Sequence, residues 1–177
     1  MNIKDLFGFE GKNVVITGAA SGMGKAACEL LIELGANVYA ADLNPIDLPV
    51  TKAFQANLGV KEEIDHLVEQ LPDNITAFYS CQGISHFPGR EYLVSQVNFL
   101  GQKYMTEQLL PKIEDYGSIT YISSVGGFGW EQNYKNCLDL IAQPTWEDSM
   151  NWYKEHEDLI ISKDDNALDY TFAKQCI

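Results

Sequence analysis

The stretch TGAASGMG, from Thr17 to Gly24, decides the fold of this chain of 177 residues. It follows an apolar segment, Asn13–Thr17 (NVVIT), that predicts a short buried strand. It precedes a segment from about Met23 to Leu34 that predicts a helix closed by Gly35. Glycines between a strand and a helix allow a tight turn and let the backbone approach a pyrophosphate, to which the helix N-terminus offers N–H groups. The stretch therefore predicts a nucleotide-binding turn.

Apolar bursts alternate with amphipathic stretches along the rest of the chain, which is typical of an α/β fold. Further strands are predicted at Asn37–Ala41, Ala53–Ala56, Ile75–Ser80 and Gly117–Ser123, and further helices at Lys61–Leu71 and Glu91–Lys112. Right-handed connections between parallel strands then give a Rossmann-type, doubly wound sheet of strand order 3-2-1-4-5. We expect residues 1–177 to form a single nucleotide-binding domain.

Composition excludes several classes of protein. The chain has 12 Lys and Arg against 25 Asp and Glu, a net charge of −13, which argues against binding to the phosphate backbone of a nucleic acid. It lacks an apolar run of about 18 residues, so we expect no membrane-spanning segment. The start of the chain lacks the apolar stretch of a secretory signal.

The cysteines and histidines are widely spaced. The four cysteines form no C-x-x-C pair, which favours a reducing cytoplasm over a disulfide-bonded secreted protein. His66, His86 and His156 stand alone in the sequence, so we expect no metal site.

A strongly acidic segment runs from Glu131 to Asp169. It holds ten acidic and three basic residues, and Thr145-Trp146-Glu147-Asp148 within it resembles a capping box at the start of a helix. Its charges are typical of a solvated helical face. The alternative is a lid beside a site, or an insertion that blocks a contact between subunits.

Asp42 ends the second predicted strand, 18 residues after Gly24. A carboxylate at that place accepts hydrogen bonds from the adenine-side ribose and repels a 2′-phosphate. Neither Ser21 nor the pair Leu43-Asn44 supplies a cation for such a phosphate. The sequence therefore favours NAD(H) over NADP(H), although Asp42 is also a residue type that forms turns at strand ends.

The pattern T-G-x-x-x-G-x-G, together with Val97–Gly101, Gly117–Ser124 and Tyr170–Lys174 (Y-x-x-x-K), resembles the non-extended type of the short-chain dehydrogenase/reductase family. The resemblance implies that the cofactor is bound by Gly18, Ser21, Gly22, Met23, Gly24, Asp42, Asn57, Leu58, Gly83, Tyr170 and Lys174. It implies a catalytic set of Asn98, Ser124, Tyr170 and Lys174, with Ser124 aligning better than Ser123. In Ser80-Cys81-Gln82-Gly83, which occupies the place of the family's N-N-A-G, only Gly83 agrees.

The catalytic set suits proton transfer. Tyr170 and Lys174 are four positions apart and share a helix face. A free phenol has a pKa near ~10. Lowering that pKa by ~3 units takes ~4 kcal/mol of stabilisation of the phenolate, which, by the resemblance, Lys174 and a positive nicotinamide ring supply. By the same resemblance, Lys174 binds the nicotinamide ribose, Ser124 holds the substrate oxygen, and Asn98 fixes a water.

Two features depart from the usual family pattern. Ser124 and Tyr170 are 46 positions apart, so the segment at about 131–169 is an insertion, which resembles the 3α-hydroxysteroid dehydrogenase/carbonyl reductase subgroup. Family members also continue beyond the equivalent of Ile177 with two further strands. The resemblance thus implies that these residues are the N-terminal two-thirds of such an enzyme, with strands 6 and 7 outside this chain.

The favoured function is an NAD-dependent oxidoreductase that interconverts a secondary alcohol and a ketone, with a hydroxysteroid or another bulky carbonyl compound as substrate. Residues Ile84–Phe87 and Gly126–Trp130 follow strands four and five, and their apolar character suits a hydrophobic small molecule. We expect a homo-oligomer, either dimer or tetramer. The alternatives are a non-catalytic, nucleotide-binding fragment and a purely structural α/β domain.

Overall fold

The parallel sheet defines the architecture of the chain. The computed structural model describes residues 8–163 and 166–177, so residues 1–7 and two positions of the acidic insertion lie outside the described residues. The strands are β1 (Asn13–Thr17), β2 (Asn37–Asp42), β3 (Lys52–Gln55), β4 (Ile75–Ser80) and β5 (Ile113–Tyr121). Their order is β3-β2-β1-β4-β5 with every pairing parallel, which confirms the predicted Rossmann-type sheet.

Helices follow the strands in the order that the sequence predicts. They are α1 (Gly22–Glu33), α2 (Lys61–Glu69), α3 (Glu91–Ser95), α4 (Gly101–Leu109), α5 (Tyr134–Ile141), α6 (Trp146–Glu155) and α7 (Leu168–Gln175). Gly35 follows the last residues of helix α1 with a φ of 85°. The N–H of Ala36 donates to Leu31 O at 3.0 Å, which completes the expected glycine cap. Within the described residues, none of these helices has both the length and the apolar character needed to cross a membrane.

The central strand is apolar because it is covered on both faces. Val14 and Ile16 of β1 are fully buried between β2 and β4. They pack in one cluster with Cys28 and Leu31 of α1 and with Val38 of β2. A strand buried on both faces gains from a continuous apolar run, so NVVIT needs no alternation of polar residues.

The chain divides into two compact units. The first comprises the residues up to Leu58 together with Glu62–Gln82 and Met105–Ile122, and it contains all five strands. The second comprises Gly59–Lys61, Gly83–Tyr104 and the described residues from Ser123 onward. The predicted nucleotide-binding turn belongs to the first unit, and Asn98, Ser124, Tyr170 and Lys174 belong to the second.

Two elements differ from their predictions by more than a shift of one or two residues at an end. Strand β5 begins at Ile113 instead of Gly117, because a register shift against β4 and a left-handed Tyr116 (φ 67°) add a bulged stretch before the regular pairing. The helix predicted from Glu91 to Lys112 contains a π-helical turn at Gln96–Leu100 between α3 and α4, and it ends in a 3₁₀ turn.

The described part of the acidic insertion is helical. Helix α6 begins after Thr145, whose hydroxyl oxygen accepts a hydrogen bond from the N–H of Asp148 at 3.0 Å, as the capping pattern predicts. Trp146 and Tyr153 of this helix are buried. Helix α6 therefore packs an apolar face, while its Glu147, Lys154 and Glu155 are exposed.

Candidate active site

The glycine turn is held by close backbone contacts. A Cβ added to Gly18 would lie 2.6 Å from Cys81 O, and Gly18 has a φ of 68°, so no other residue fits there. A Cβ on Gly24 would lie 2.1 Å from Gly18 O. Gly18 thus allows the turn to lie against the backbone that follows β4, and Gly24 allows the first turn of α1 to lie against the backbone of Gly18.

The N-terminus of α1 has no side-chain cap among the described residues. Ser21 precedes the helix in an extended conformation without capping it, and the first turn holds no acidic residue. Gly22 has a φ of 54°, and a Cβ placed on it would meet nothing within 4 Å. Met23 is exposed. An uncapped helix N-terminus beside open space fits the pyrophosphate of a dinucleotide.

Asp42 lies at the end of β2, beside the glycine turn. Its Oδ2 accepts a hydrogen bond from Ala20 N at 3.0 Å, and its Oδ1 accepts one from Asn44 N at 2.8 Å. The side chain is half-buried and keeps lone pairs available for a ribose. Ala56 N donates to Asp42 O at 2.9 Å, so the residues that follow β3 also reach this end of the sheet.

Asn57 and Leu58 follow β3 in the first unit. The N–H of Asn57 donates to Glu63 Oε2 at 2.6 Å, and Leu58 is buried. The pair is thereby anchored to the start of α2. These are the residues that the family resemblance assigns to the adenine side of the cofactor.

A buried polar network explains the departure from the family's N-N-A-G pattern. Gln82 is buried, and its Oε1 accepts hydrogen bonds from the hydroxyls of Ser80, at 3.0 Å, and Thr17. The glutamine therefore ties the end of β4 to the end of β1, immediately before the glycine turn. Sequence analysis missed this role because Thr17 and Gln82 are separated by 65 positions.

The second unit brings Ser124 and Tyr170 together. Both the Cε1 atom of Tyr170 and the Oγ atom of Ser124 lie within 3.5 Å of the position that a Cβ on Gly126 would occupy. The Ser124 hydroxyl oxygen also accepts a hydrogen bond from Gly126 N at 3.1 Å, which orients it. The absence of a side chain at Gly126 thus allows the serine and the tyrosine ring to be neighbours.

Lys174 lies on the same helix, α7, as Tyr170. Its Nζ lies 6.0 Å from the centroid of the Tyr170 ring, and the side chain is buried. Burial lowers the pKa of Lys174 from its ordinary value, because desolvation disfavours the ammonium form. A Cβ on Gly127 would lie 2.6 Å from Lys174 O, so this glycine lets the loop after Ser124 touch the helix backbone.

Asn98 lies in the π-helical turn and is fully buried. Its Oδ1 accepts a hydrogen bond from Ile84 N, and its Nδ2 donates to Ile84 O, each at 2.8 Å. A Cβ on Gly83 would lie 3.4 Å from Asn98 Oδ1. The turn packs against α7, so Asn98 joins the loop after β4 to the helix that carries Tyr170.

The structure also shows a pair that sequence analysis missed. His86 Nδ1 and Asp169 Oδ1 are 2.7 Å apart, and Asp169 immediately precedes Tyr170. The only sequence signal was the position of Asp169 in the first helical turn, since 83 positions separate the two residues. No three of the described His, Cys, Asp and Glu side chains cluster as metal ligands would.

Exposed apolar side chains lie on two segments of the second unit. Two segments were predicted to line a substrate pocket, and each presents exposed large side chains: Ile84 and Phe87 in the first, Phe128 and Trp130 in the second. Exposed aromatic groups of this kind suit a hydrophobic ligand.

Comparison with known proteins identifies the family. The model of the short chain dehydrogenase family matches residues 12–135. This chain therefore belongs to the short-chain dehydrogenase family.

Individual relatives support that assignment. The chain is 34% identical over 147 residues to coniferyl-alcohol dehydrogenase of Pseudomonas sp. (strain HR199 / DSM 7063), an alignment that covers 82% of this chain and 56% of the relative. It is 53% identical over 81 residues to 2,5-dichloro-2,5-cyclohexadiene-1,4-diol dehydrogenase of Sphingobium indicum, which covers 41% of this chain and 31% of that protein. The chain thus spans about half the length of the first of these relatives.

Solved structures share the fold. The 3-alpha-hydroxysteroid dehydrogenase of Pseudomonas sp. B-0831, complexed with NADH, matches with a TM-score of 0.70 at 19% identity, over 93% of this chain and 68% of that one. At this identity the match shows the fold alone.

Proposed function

We propose that this protein is an NAD(H)-dependent oxidoreductase that interconverts a secondary alcohol and a ketone. The observation that carries the proposal is the grouping of Ser124, Tyr170 and Lys174 in one unit, with Gly126 and Gly127 making room for their close approach. A purely structural α/β domain has no need of a buried lysine on the helix of a neighbouring tyrosine. Membership of a dehydrogenase family supports the same conclusion.

The proposed chemistry is a proton transfer coupled to hydride transfer. NAD⁺, held by the glycine turn, would supply the acceptor for the hydride that leaves the alcohol carbon. In this scheme the phenolate oxygen of Tyr170, its own proton having passed to solvent, takes the hydroxyl proton of the alcohol, and Ser124 donates a hydrogen bond to the same substrate oxygen. In the reverse direction Tyr170 returns the proton to the ketone oxygen.

Lys174 and Asn98 support Tyr170 in this scheme. The ammonium of Lys174 stabilises negative charge on the phenol oxygen, and it donates a hydrogen bond to the ribose of the nicotinamide. Burial makes that charge more effective, because an ion pair is stronger where water is excluded. Asn98, held by Ile84, fixes a water that exchanges the proton with solvent.

The preference for NAD(H) rests on Asp42. Its carboxylate, placed after β2 and bonded to Ala20 N, would accept hydrogen bonds from the ribose and repel a 2′-phosphate. Gly18, Ser21, Gly22, Met23 and Gly24 would hold the pyrophosphate, and Asn57, Leu58 and Gly83 would complete the site. The 3-alpha-hydroxysteroid dehydrogenase that shares the fold was solved with NADH, which supports the choice of cofactor.

The proposed substrate is an apolar alcohol or carbonyl compound. Phe87, Phe128 and Trp130 supply exposed aromatic surface in the unit that holds Tyr170. A panel containing a 3α-hydroxysteroid, a cyclic diol and coniferyl alcohol distinguishes a bulky secondary alcohol from the aromatic substrate named for one relative. We expect the hydroxysteroid to show the highest kcat/KM.

We further propose that the enzyme works in the cytoplasm as a homodimer or homotetramer. None of its four cysteines forms a disulfide, which is consistent with a reducing compartment. Sedimentation of the full-length protein, with and without a reducing agent, tests both statements, since a monomer or a disulfide-dependent species would contradict them.

The experiment that tests the function replaces Tyr170 by Phe in the full-length protein. Turnover should fall by at least about 10³-fold, while NADH affinity stays within about twofold, because the hydroxyl transfers the proton and does not hold the nucleotide. The matched control is Tyr153→Phe, which removes a buried hydroxyl that has no hydrogen-bond partner in the described structure. That control should keep wild-type activity, and substantial turnover in Tyr170→Phe would contradict the proposal.

A second candidate is a nucleotide-binding fragment without catalysis. The chain spans 56% of the coniferyl-alcohol dehydrogenase that it matches, which favours this interpretation for the 177 residues alone. We expect residues 1–177 to bind NADH weakly and to show no turnover. Full activity in a soluble monomer of these residues would exclude the fragment.

A further inference from the structure

A buried carboxylate lies next to Tyr170. Asp169 is fully buried, and its Oδ1 lies 2.7 Å from both His86 Nδ1 and Tyr170 N. Its Oδ2 is also buried and has no hydrogen-bond partner within the described residues. Among those residues, the negative charge of Asp169 therefore has one side-chain partner, the imidazole of His86.

Such a charge works against the proposed chemistry unless it is balanced. In the proposed mechanism the oxygen of Tyr170 becomes negative when the phenol gives up its proton. A second negative charge on the adjoining residue repels it, and because Asp169 is buried, water screens that repulsion less. A buried carboxylate without a partner also destabilises the folded state.

We propose that His86 is a positioning residue that balances the charge of Asp169 and so permits negative charge on Tyr170. This inference rests on the proposed function. The Nδ1–H of His86 donates to the carboxylate, and the protonated imidazole makes the pair neutral. Asp169 then serves as the acidic residue in the first turn of α7, where it stabilises the helix N-terminus without a net charge on the residue that precedes Tyr170.

The loop that carries His86 is held independently of Asp169. Ile84, two positions earlier, is bonded through both of its backbone polar groups to the side chain of Asn98. Arg90, at the end of the loop, lies over the ring of Phe87, with 5.1 Å between its Cζ and the ring centroid. The imidazole is therefore presented to Asp169 by the loop, and a change at Asp169 leaves the loop anchored.

Other charged side chains lie on α7 and on the elements packed against it. Glu91 of α3 accepts a hydrogen bond from Gly89 N, and Glu157 accepts one from Tyr92 Oη. The remaining charged side chains on α7 and on the 3₁₀ turns packed against it are Lys174, Glu131 and Asp158. The ion pair that the described structure gives Asp169 is the one with His86.

The test compares His86→Gln, Asp169→Asn and the double variant in the full-length enzyme, by the pH profile of kcat. Glutamine keeps a donor for Asp169 but carries no charge. We expect His86→Gln to lower kcat about tenfold near pH 7. The pH at which kcat reaches half of its maximum should move upward by about one unit, and this pH is the midpoint that the variants are compared by. The double variant, which removes both charges, should return the midpoint to within a few tenths of a unit of the wild-type value. KM for NAD⁺ should stay the same throughout.

A stability measurement covers variants that fold poorly. If charge balance is the function of His86, His86→Gln should unfold at a lower urea concentration than the double variant. His156→Gln is the matched control, because its imidazole stacks on Trp152 and its Nδ1 lies 2.8 Å from Trp152 O, and it should leave the midpoint unchanged. An unshifted midpoint in His86→Gln, or an equal shift in the double variant, overturns the inference. Turnover in Tyr170→Phe would overturn the proposed function itself, so the two failures are distinguishable.

Discussion

The carboxylate of Asp42 accepts a hydrogen bond from the backbone N–H of Ala20, with 3.0 Å between Asp42 Oδ2 and Ala20 N. The other oxygen accepts one from Asn44 N at 2.8 Å. The side chain that the family resemblance assigns to the ribose therefore also fastens the glycine turn to the end of β2. Loss of this carboxylate consequently affects the shape of the turn as well as the choice of cofactor.

Variants of Asp42 separate these two effects. Asp42→Asn keeps an acceptor for Ala20 N but removes the charge, so we expect the affinity for NADP(H) to rise about tenfold and the turn to stay folded. Asp42→Ala removes both, so NAD(H) binding should weaken and the free energy of unfolding should fall by about 1 kcal/mol. Fluorescence titration and urea unfolding measure the two quantities. Tighter binding of NADP(H) than of NAD(H) by the wild-type protein would show that the ribose argument is wrong.

Two glycines of the turn should respond differently to alanine. A Cβ on Gly24 would lie 2.1 Å from Gly18 O, so Gly24→Ala forces the loop and α1 apart and should lower the free energy of unfolding by about 3 kcal/mol or more. Gly22 faces open space at a φ of 54°, so Gly22→Ala should cost only about 1 kcal/mol of stability. It should still weaken NADH binding, because the methyl group occupies the approach to the helix N-terminus. Equal stability of the two variants, measured by urea unfolding, would contradict the close packing of Gly24 against Gly18.

The glycines after Ser124 should control the placement of Tyr170. A Cβ on Gly127 would lie 2.6 Å from Lys174 O, a backbone atom, whereas a Cβ on Gly126 would lie 3.1 Å from Cε1 of the Tyr170 ring. We expect Gly127→Ala to shift α7 and to lower kcat at least about tenfold, and Gly126→Ala to have a smaller effect. Steady-state kinetics of the full-length enzyme measures this, with urea unfolding to check the fold. Wild-type kcat in Gly127→Ala would refute the prediction.

The stability of the first unit should fall at alkaline pH through Cys28. Burial raises the pKa of the Cys28 thiol to about 12, against an ordinary value of 9.0. The folded state therefore holds a proton that the unfolded chain releases, and this stabilisation, complete below pH 9, is lost as the pH rises toward 12. Cys28→Ala removes this titration. Over that pH range the free energy of unfolding of the variant should therefore fall less steeply with pH than that of the wild-type protein, and the two slopes should differ by up to about 1.4 kcal/mol per pH unit. Parallel profiles for the two proteins would contradict the assignment.

Local features of the chain were predictable from the sequence. The strand NVVIT, the turn from Thr17 to Gly24, the cap at Gly35 and the Thr145 cap of α6 each depend on residues within a few positions of one another. Apolar runs, positive φ at glycine and side-chain capping are short-range effects, so the residue types alone indicate them. The strand order follows from the succession of βαβ connections, whose handedness is general.

Tertiary structure decided the features that join distant parts of the chain. The bulge before the regular part of β5 depends on its register against β4, and the π-helical turn at Asn98 accompanies bonds to the loop after β4. Thr17 and Gln82, like His86 and Asp169, meet only because strands and helices bring their ends together. No periodicity in the sequence encodes such pairs, since their contact depends on how separate elements pack and not on the preference of either residue.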